Sequence, residues 1–252
     1  MNFPLLVARR YFFSKYKRGF INVIAIISML GVAVGTTALI FILSIFNGLE
    51  GLHRRLFSTI DADLKISARL GKSFDAGPEF LTRLQRIPGV GTLTEVIEDK
   101  ALARYDEAQM PVTLKGVSDN FLARKAMSRI ITEGRLVLRE KGTDYAVMGQ
   151  GVQHTLSVSV KDDFIPLQLW YPRNRKKLNL TSANSVNQLN IRAGGVFALE
   201  QHYDDSYVFV PLAFARQLLE YGNKRTALEI LVEPGSDVEG VQDRHGVAQV
   251  VA

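Results

Sequence analysis

The chain is predicted to be an α+β membrane protein: one transmembrane helix followed by a mixed α+β domain outside the cytoplasm. Three observations carry that expectation. Residues 19–49 contain no charged side chain, and a bilayer core needs only about 20 apolar residues as helix. Arg9, Arg10, Lys15, Lys17 and Arg18 precede the run, and no acid appears before Glu50. By the positive-inside bias, the N-terminal side is then cytoplasmic. Beyond Glu50, short alternating runs rich in Val, Ile and Leu interleave with short helical patterns, as in a mixed sheet.

The organisation is read as a cytoplasmic or interfacial segment over 1–19, a transmembrane helix over 20–47 and an extracytoplasmic domain over 48–252. The first segment, FPLLVARRYFF (3–13), suits a short helix lying in the membrane interface, with lipid as its partner and its arginines among the headgroups. The apolar run is too long for a cleaved signal, whose core is about 7 to 15 residues, and it leaves through Asn47-Gly48-Leu49-Glu50 instead of a small-residue cleavage site. Ser28, Gly31, Gly35 and Ala38 fall on one face of the helix, with Gly31 and Gly35 forming a G-x-x-x-G. Small residues let membrane helices approach closely, so this face is a candidate packing surface for another helix.

Downstream, ADLKISA (62–68) reads as a strand. Pro78 opens a helix whose Leu81, Leu84 and Ile87 share a face, ended by Pro88-Gly89. TLTEVI, ALARY and PVTLKGV read as strands, the last two joined by a turn at Asp106-Glu107. Ser118 is placed as the cap of a helix reaching about Ile131. YAVM is a strand, GVQHTLSV a short helix and FIPLQLW a strand. The polar stretch 172–187 has little periodicity and reads as a long loop; it holds the basic cluster Arg173, Arg175, Lys176 and Lys177. QLNIRAGGVFAL and YVFVP are strands, followed by a helix over 212–221 and a strand over 228–233. A further helix is expected from Val238 and a strand over 246–252.

Composition narrows the function. The net charge is +6, but the five basic residues before the apolar run account for most of it. The high pI therefore belongs to a membrane-flanking segment, and nucleic acid is excluded as a partner. There is no cysteine, so the domain must be stable through its core alone.

No catalytic, cofactor-binding or metal-binding set is found. Gly71-Lys72-Ser73 resembles the end of a phosphate-binding loop, but the first glycine position is Ile66. Gly149-x-Gly151 lacks the third glycine of a dinucleotide fingerprint, with His154 in its place. Gly116-Val-Ser118 lacks the closing glycine of a nucleophile elbow, with Asn120 there. His53, His154, His202 and His245 have no ligand spacing. Asp162-Asp163 and Asp204-Asp205 read as turn residues, and Asn179-Leu-Thr181 is a glycosylation sequon.

The segment 8–57, ARRYFFSKYKRGFINVIAIISMLGVAVGTTALIFILSIFNGLEGLHRRLF, resembles the N-terminus of the lipoprotein-releasing ABC transporter permeases, LolC and LolE. The similarity lies in the Arg-Arg-Tyr segment, the Lys/Arg-Gly-Phe-Ile approach to the span, Ile27-Ser-x-Leu-Gly-Val-Ala-x-Gly35 and Leu43-Ser-x-x-Asn-Gly-Leu-Glu50. Ile87-Pro-Gly-Val90, Leu114-Lys-Gly-Val117 and Val147-Met-Gly149 are similar to the periplasmic domain that family shares with the MacB exporters.

The resemblance implies an inner-membrane permease with a MacB-like α+β periplasmic domain, no enzymatic activity of its own, and an ABC ATPase subunit on the cytoplasmic face. It implies a second permease subunit, a lipoprotein substrate passing beside the exit of the first span, and a soluble periplasmic carrier. Phe46 and Asn47 are then the candidate lipoprotein contact, and the loop with Arg173, Arg175, Lys176 and Lys177 is where the carrier would bind. Three further spans are implied as well. The chain is expected to be a fragment, a truncated gene or one with a shifted frame near Arg244. Two alternatives stand beside this reading: a MacB-like mechanotransmitting subunit, and a single-pass sensor or scaffold that signals through the small-residue face.

Overall fold

In the computed structural model of the chain, the described residues are 3, 6, 7, 10, 20–57, 62–123, 127–161, 164–173 and 186–233. Two compact units divide between Arg55 and Leu56. In the first, Phe3, Leu6, Val7 and Arg10 are helical and exposed; most of the expected interfacial helix lies outside the described residues. Helix α1 (Phe20–Phe57) then runs without a break. It continues through Asn47 and Gly48, so Asn47 sits within the helix and does not end it. Within α1, Val23–Leu49 is long and apolar enough to cross a membrane.

The second unit opens with β1 (Leu64–Ser67), β2 (Phe74–Asp75) and α2 (Pro78–Gln85). The proline stands in the first turn of α2, where its missing N–H costs nothing. Two long strands follow: β3 (Val90–Tyr105) and β4 (Ala108–Val117), joined by the turn at Asp106-Glu107. TLTEVI and ALARY are thus one continuous strand.

Ser118 does not cap an α-helix. Its hydroxyl accepts the Glu95 N–H at 2.9 Å and donates to Asn120 Oδ1 at 2.7 Å. The chain turns instead through 3-10 segments at Asp119–Ala123 and Met127–Arg129 into β5 (Ile131–Gly134). Next come β6 (Arg139–Glu140), β7 (Thr143–Gly149), α3 (Gln150–Leu156), β8 (Leu167–Pro172) and β9 (Val186–Phe197). The unit finishes with α4 (Gln201–Asp204), β10 (Tyr207–Pro211), α5 (Leu212–Leu219), β11 (Lys224–Arg225) and β12 (Ala227–Val232). The segments expected beyond Val238 lie outside the described residues.

Ten strands form one hydrogen-bonded sheet. At one end β1, β12 and the first half of β3 lie side by side, and α2 covers them over a small core of Ile66, Leu84, Leu93, Leu228 and Ile230. At the other end the pairings β3-β4-β10-β7-β9-β8 return to β3 and close a circuit. Its core holds Ile97, Leu114, Met148, Leu169 and Val208, with Phe214 and Leu218 of α5 packed in. The opposite face of the sheet carries a third core around Phe209, whose ring lies 5.2 Å from that of Phe121 and 5.3 Å from that of Phe197. Closure removes two sheet edges that would otherwise invite pairing with other chains.

β3 is the joint between the two ends. Along one edge it pairs with β12 as far as Val96 and with β8 from Leu102 onward. In the gap, Thr226 Oγ1 accepts the Glu98 N–H at 2.8 Å. A buried ion pair ties the neighbours of β3 together on the third-core face: Lys115 of β4 donates to Glu229 of β12 at 2.6 Å, beside the Phe121 ring.

Candidate functional site

Two parts of the chain carry the residues expected to function. The first is α1. Its large apolar side chains are about half to four-fifths exposed on every face, the pattern of a helix whose surroundings are lipid. Thr36 Oγ1 donates to the Val32 carbonyl at 2.9 Å and Thr37 Oγ1 to the Ala33 carbonyl at 2.7 Å. Both hydroxyls are therefore satisfied without water, as a hydrocarbon environment requires. Ser28, Gly31, Gly35 and Ala38 are exposed, and a Cβ built at Gly31 or Gly35 meets nothing within 4 Å. Phe46 and Asn47 are exposed too.

The second part is the base of the β8–β9 hairpin. Pro172 and Val186 are paired across the two strands, so the stretch read as a long loop connects the ends of a hairpin. Arg175, Lys176, Lys177 and the sequon lie outside the described residues. Arg173 is described: its Nε donates to Asn187 Oδ1 at 2.6 Å and lies 3.9 Å from Glu220 Oε1. Asn187 Nδ2 donates to the Leu218 carbonyl at 3.1 Å. Beside this base is a cleft of about 470 Å³ lined by Lys72, Tyr171, Arg173, Glu220, Tyr221 and Lys224 among others.

Asp99 lies at the back of this region, in the gap along β3. Its Oδ2 accepts the Tyr171 hydroxyl at 2.8 Å and the Tyr221 hydroxyl at 3.0 Å. Its Oδ1 accepts the Lys100 N–H at 2.9 Å and Lys72 Nζ at 3.3 Å. Burial pushes this carboxyl up. The hydrogen bonds from Tyr171, Lys100 and Tyr221, with the Lys72 charge, outweigh burial and hold it below the ordinary 3.8. The same arrangement raises both phenols. Burial and the Asp99 carboxylate lift Tyr171 well above its ordinary value and push Tyr221 up to about 12.

The glycine motifs have packing explanations. A Cβ at Gly149 would sit 2.2 Å from the Asp204 carbonyl oxygen, and one at Gly151 would meet Asp205. One at Gly116 would fall 2.2 Å from the Ala215 Cβ, where β4 and α5 touch. Asp204 and Asp205 close α4, with Asp204 Oδ1 accepting the Leu199 N–H at 2.9 Å. Asp162-Asp163 lie outside the described residues. Among the described residues no group of three or more His, Cys, Asp or Glu could hold a metal ion.

Sequence reasoning missed Asp99, Tyr171, Tyr221 and Asn187, each an ordinary polar residue in its own segment. It also missed Lys115 and Glu229, although a lone cation in PVTLKGV and a lone anion in ALEILV were a usable signal.

The MacB-like periplasmic core domain family matches residues 25–246. The chain belongs to that family. It is 26% identical over 234 residues to the lipoprotein-releasing system transmembrane protein LolE of Haemophilus influenzae, covering 88% of this chain and 52% of that protein. It is 27% identical over 167 residues to LolC of Xylella fastidiosa, covering 65% of this chain and 40% of that one. The chain thus spans about half the length, or less, of these relatives. Among solved structures it is similar to the extracellular domain of the noncanonic ABC-type transporter YknZ from Gram-positive bacteria, with TM-score 0.47 and 14% identity over 72% of this chain and 93% of that one. The periplasmic region of MacB from Actinobacillus actinomycetemcomitans gives TM-score 0.48 and 9% identity over 72% and 83%. The chain is therefore an inner-membrane protein with a MacB-like domain, similar to LolE and LolC: α1 carries the stretch long and apolar enough to cross the membrane, and the α+β unit is the periplasmic domain.

Proposed function

We propose that this chain is the N-terminal part of a permease subunit in an ABC transporter that releases lipoproteins from the inner membrane towards the outer membrane. The observation that carries this is the match to LolE, which runs through both the membrane helix and the folded unit and takes in 88% of the chain. In this reading ATP is hydrolysed on a separate cytoplasmic ATPase subunit, and a second permease subunit completes the path. The membrane segment covers roughly 20–47, with 1–19 on the cytoplasmic side. Ser28, Gly31, Gly35 and Ala38 pack against a neighbouring span. Phe46 and Asn47 lie beside the lipid anchor of the lipoprotein, and the segment with Arg173, Arg175, Lys176 and Lys177 meets the soluble carrier.

The test is a photo-crosslinker at Phe46 in the full-length protein. It should capture a lipoprotein, whereas labelling of bulk phospholipid alone would make Phe46 an ordinary lipid-facing residue. The family match also supports a second reading, a MacB-like mechanotransmitting subunit. Co-purification with an outer-membrane partner instead of a soluble carrier would favour it.

A further inference from the structure

We propose that Asp99 is a positioning residue that sets the direction in which the β8–β9 hairpin leaves the sheet, by holding Tyr171 at the hairpin base and Tyr221 beyond α5 on one carboxylate oxygen. The proposal starts from the register. β8 is bonded to β3 only as far as Trp170. Tyr171 and Pro172 pair with β9 alone, so from there a two-stranded ribbon leaves the circuit. Such a ribbon is marginal by itself and free to twist. Ladder hydrogen bonds on β3 stop where the ribbon needs support, and the Asp99 side chain, 10% exposed, fills that place.

A carboxylate offers about four lone-pair directions. Here four donors use them, three from distant parts of the chain, Tyr171, Tyr221 and Lys72, and one from β3 itself, the Lys100 N–H. The second strand of the ribbon is tied to the same end of α5, through Asn187 to the Leu218 carbonyl, and Arg173 bridges the two strands beside Glu220. Both strands are thus fastened to the C-terminal end of α5, and Asp99 fastens that end to β3. An ionised carboxylate accepts charge-assisted hydrogen bonds that a neutral amide cannot match. The role rests on the reading of the hairpin connection as the carrier-binding segment, since only then does its direction matter for transport.

The experiment is hydrogen exchange on the 252-residue chain in nanodiscs. In Asp99→Asn and in the Tyr171→Phe/Tyr221→Phe double variant, peptides covering 167–173 and 186–191 should exchange about tenfold faster, the scale of losing roughly one hydrogen bond to a charged group. Peptides from β4 (108–117) should keep the wild-type rate. If Asp99→Asn fails to fold, Tyr171→Phe alone should still give a rise of roughly threefold, half of the double variant's effect in free energy, as it removes one of the two phenol donors. Unchanged exchange at the hairpin base, or an equal rise in β4, would overturn the assignment. A crosslinker at Lys177, probed with the purified periplasmic lipoprotein carrier, separates the two readings. Faster exchange in the variants with no capture even in the otherwise wild-type chain leaves the Asp99 role standing and removes the carrier role of the loop; reduced capture with unchanged exchange removes the Asp99 role.

Discussion

α1 and β3 are the two long elements of this molecule, and both are rich in apolar residues. They differ in what surrounds them. Val32, Val34 and Phe41 of α1 are about two-thirds exposed, whereas Val96, Ile97 and Ala103 of β3 are fully buried. α1 is apolar all round because its intended solvent is lipid, which makes no distinction between its faces. β3 divides its residues between faces: Ile97, Ala101 and Ala103 point into the closed circuit and Val96 into the core on the other side. The same hydrophobic chemistry thus yields a membrane anchor in one case and a joint between two packed cores in the other. What differs is the period of the pattern and the presence of charges within it.

The sharpest way to break the comparison is to put a wrong charge in each element. Lys115→Ala removes the buried cation that donates to Glu229 next to β3 and should cost the periplasmic unit about 3–5 kcal/mol in urea unfolding. Replacing both partners by Met and Leu should recover most of that loss. A double variant as unstable as the single one would mean that the pair itself, and not the buried carboxylate left behind, is what matters. In α1, Val34→Arg should cost about 2.5–3.5 kcal/mol of membrane insertion while the unfolding of the periplasmic unit stays the same. Carbonate extraction reads this, and Leu70→Arg, at a position 87% exposed on the folded unit, is the control that should change neither property.

Smaller effects sharpen the contrast. Gly31→Leu with Gly35→Leu should weaken association of the span by about 1–2 kcal/mol in a membrane-association reporter. No steric strain arises within the chain, because both sites are open; an unaltered reporter signal would remove the small-residue face as a packing surface. The smallest effect is a pH dependence at the hairpin base. The native Asp99 carboxyl is held below 3.8, so its contribution is complete above that value and lost as pH falls through the depressed native one. Tyr221 is raised from 10.0 to about 12, so its contribution is complete below pH 10 and lost as pH rises through 12. Hairpin-base exchange, corrected for intrinsic rates, should rise below about pH 4 and above about pH 10 and stay flat between. A transition in the neutral range would point to a different group.

Much of the architecture was legible in the residues. The charge-free run located α1, and Pro78 with Leu81 and Leu84 located α2. GVQHTL became α3, and LAFARQLL became α5. The failures have physical causes. Ser118 was read as a helix cap because the residue type suits one, but its hydroxyl is spent on the Glu95 N–H of the neighbouring strand. FIPLQLW begins pairing only at Leu167, since Phe164 is 94% exposed and Pro166 has no N–H to offer a ladder. The two-residue strands β2, β6 and β11 are too short to show any period.

The hairpin base was invisible for a different reason. Lys72, Asp99, Tyr171 and Tyr221 meet only because β3 spans the gap between the start of β12 at Ala227 and the last β3 partner in β8, Trp170, and no local pattern marks that gap. Charge and hydropathy alone determined that this chain enters a membrane, on which side its folded part lies and which face of the span is small, because partitioning between water and lipid depends on composition and period. Only the tertiary structure decided that β3 joins two cores, that the polar stretch after Pro172 is a hairpin connection, and that one carboxylate holds its base. Those outcomes depend on contacts between segments far apart in sequence, whose energy exists only once the circuit has closed.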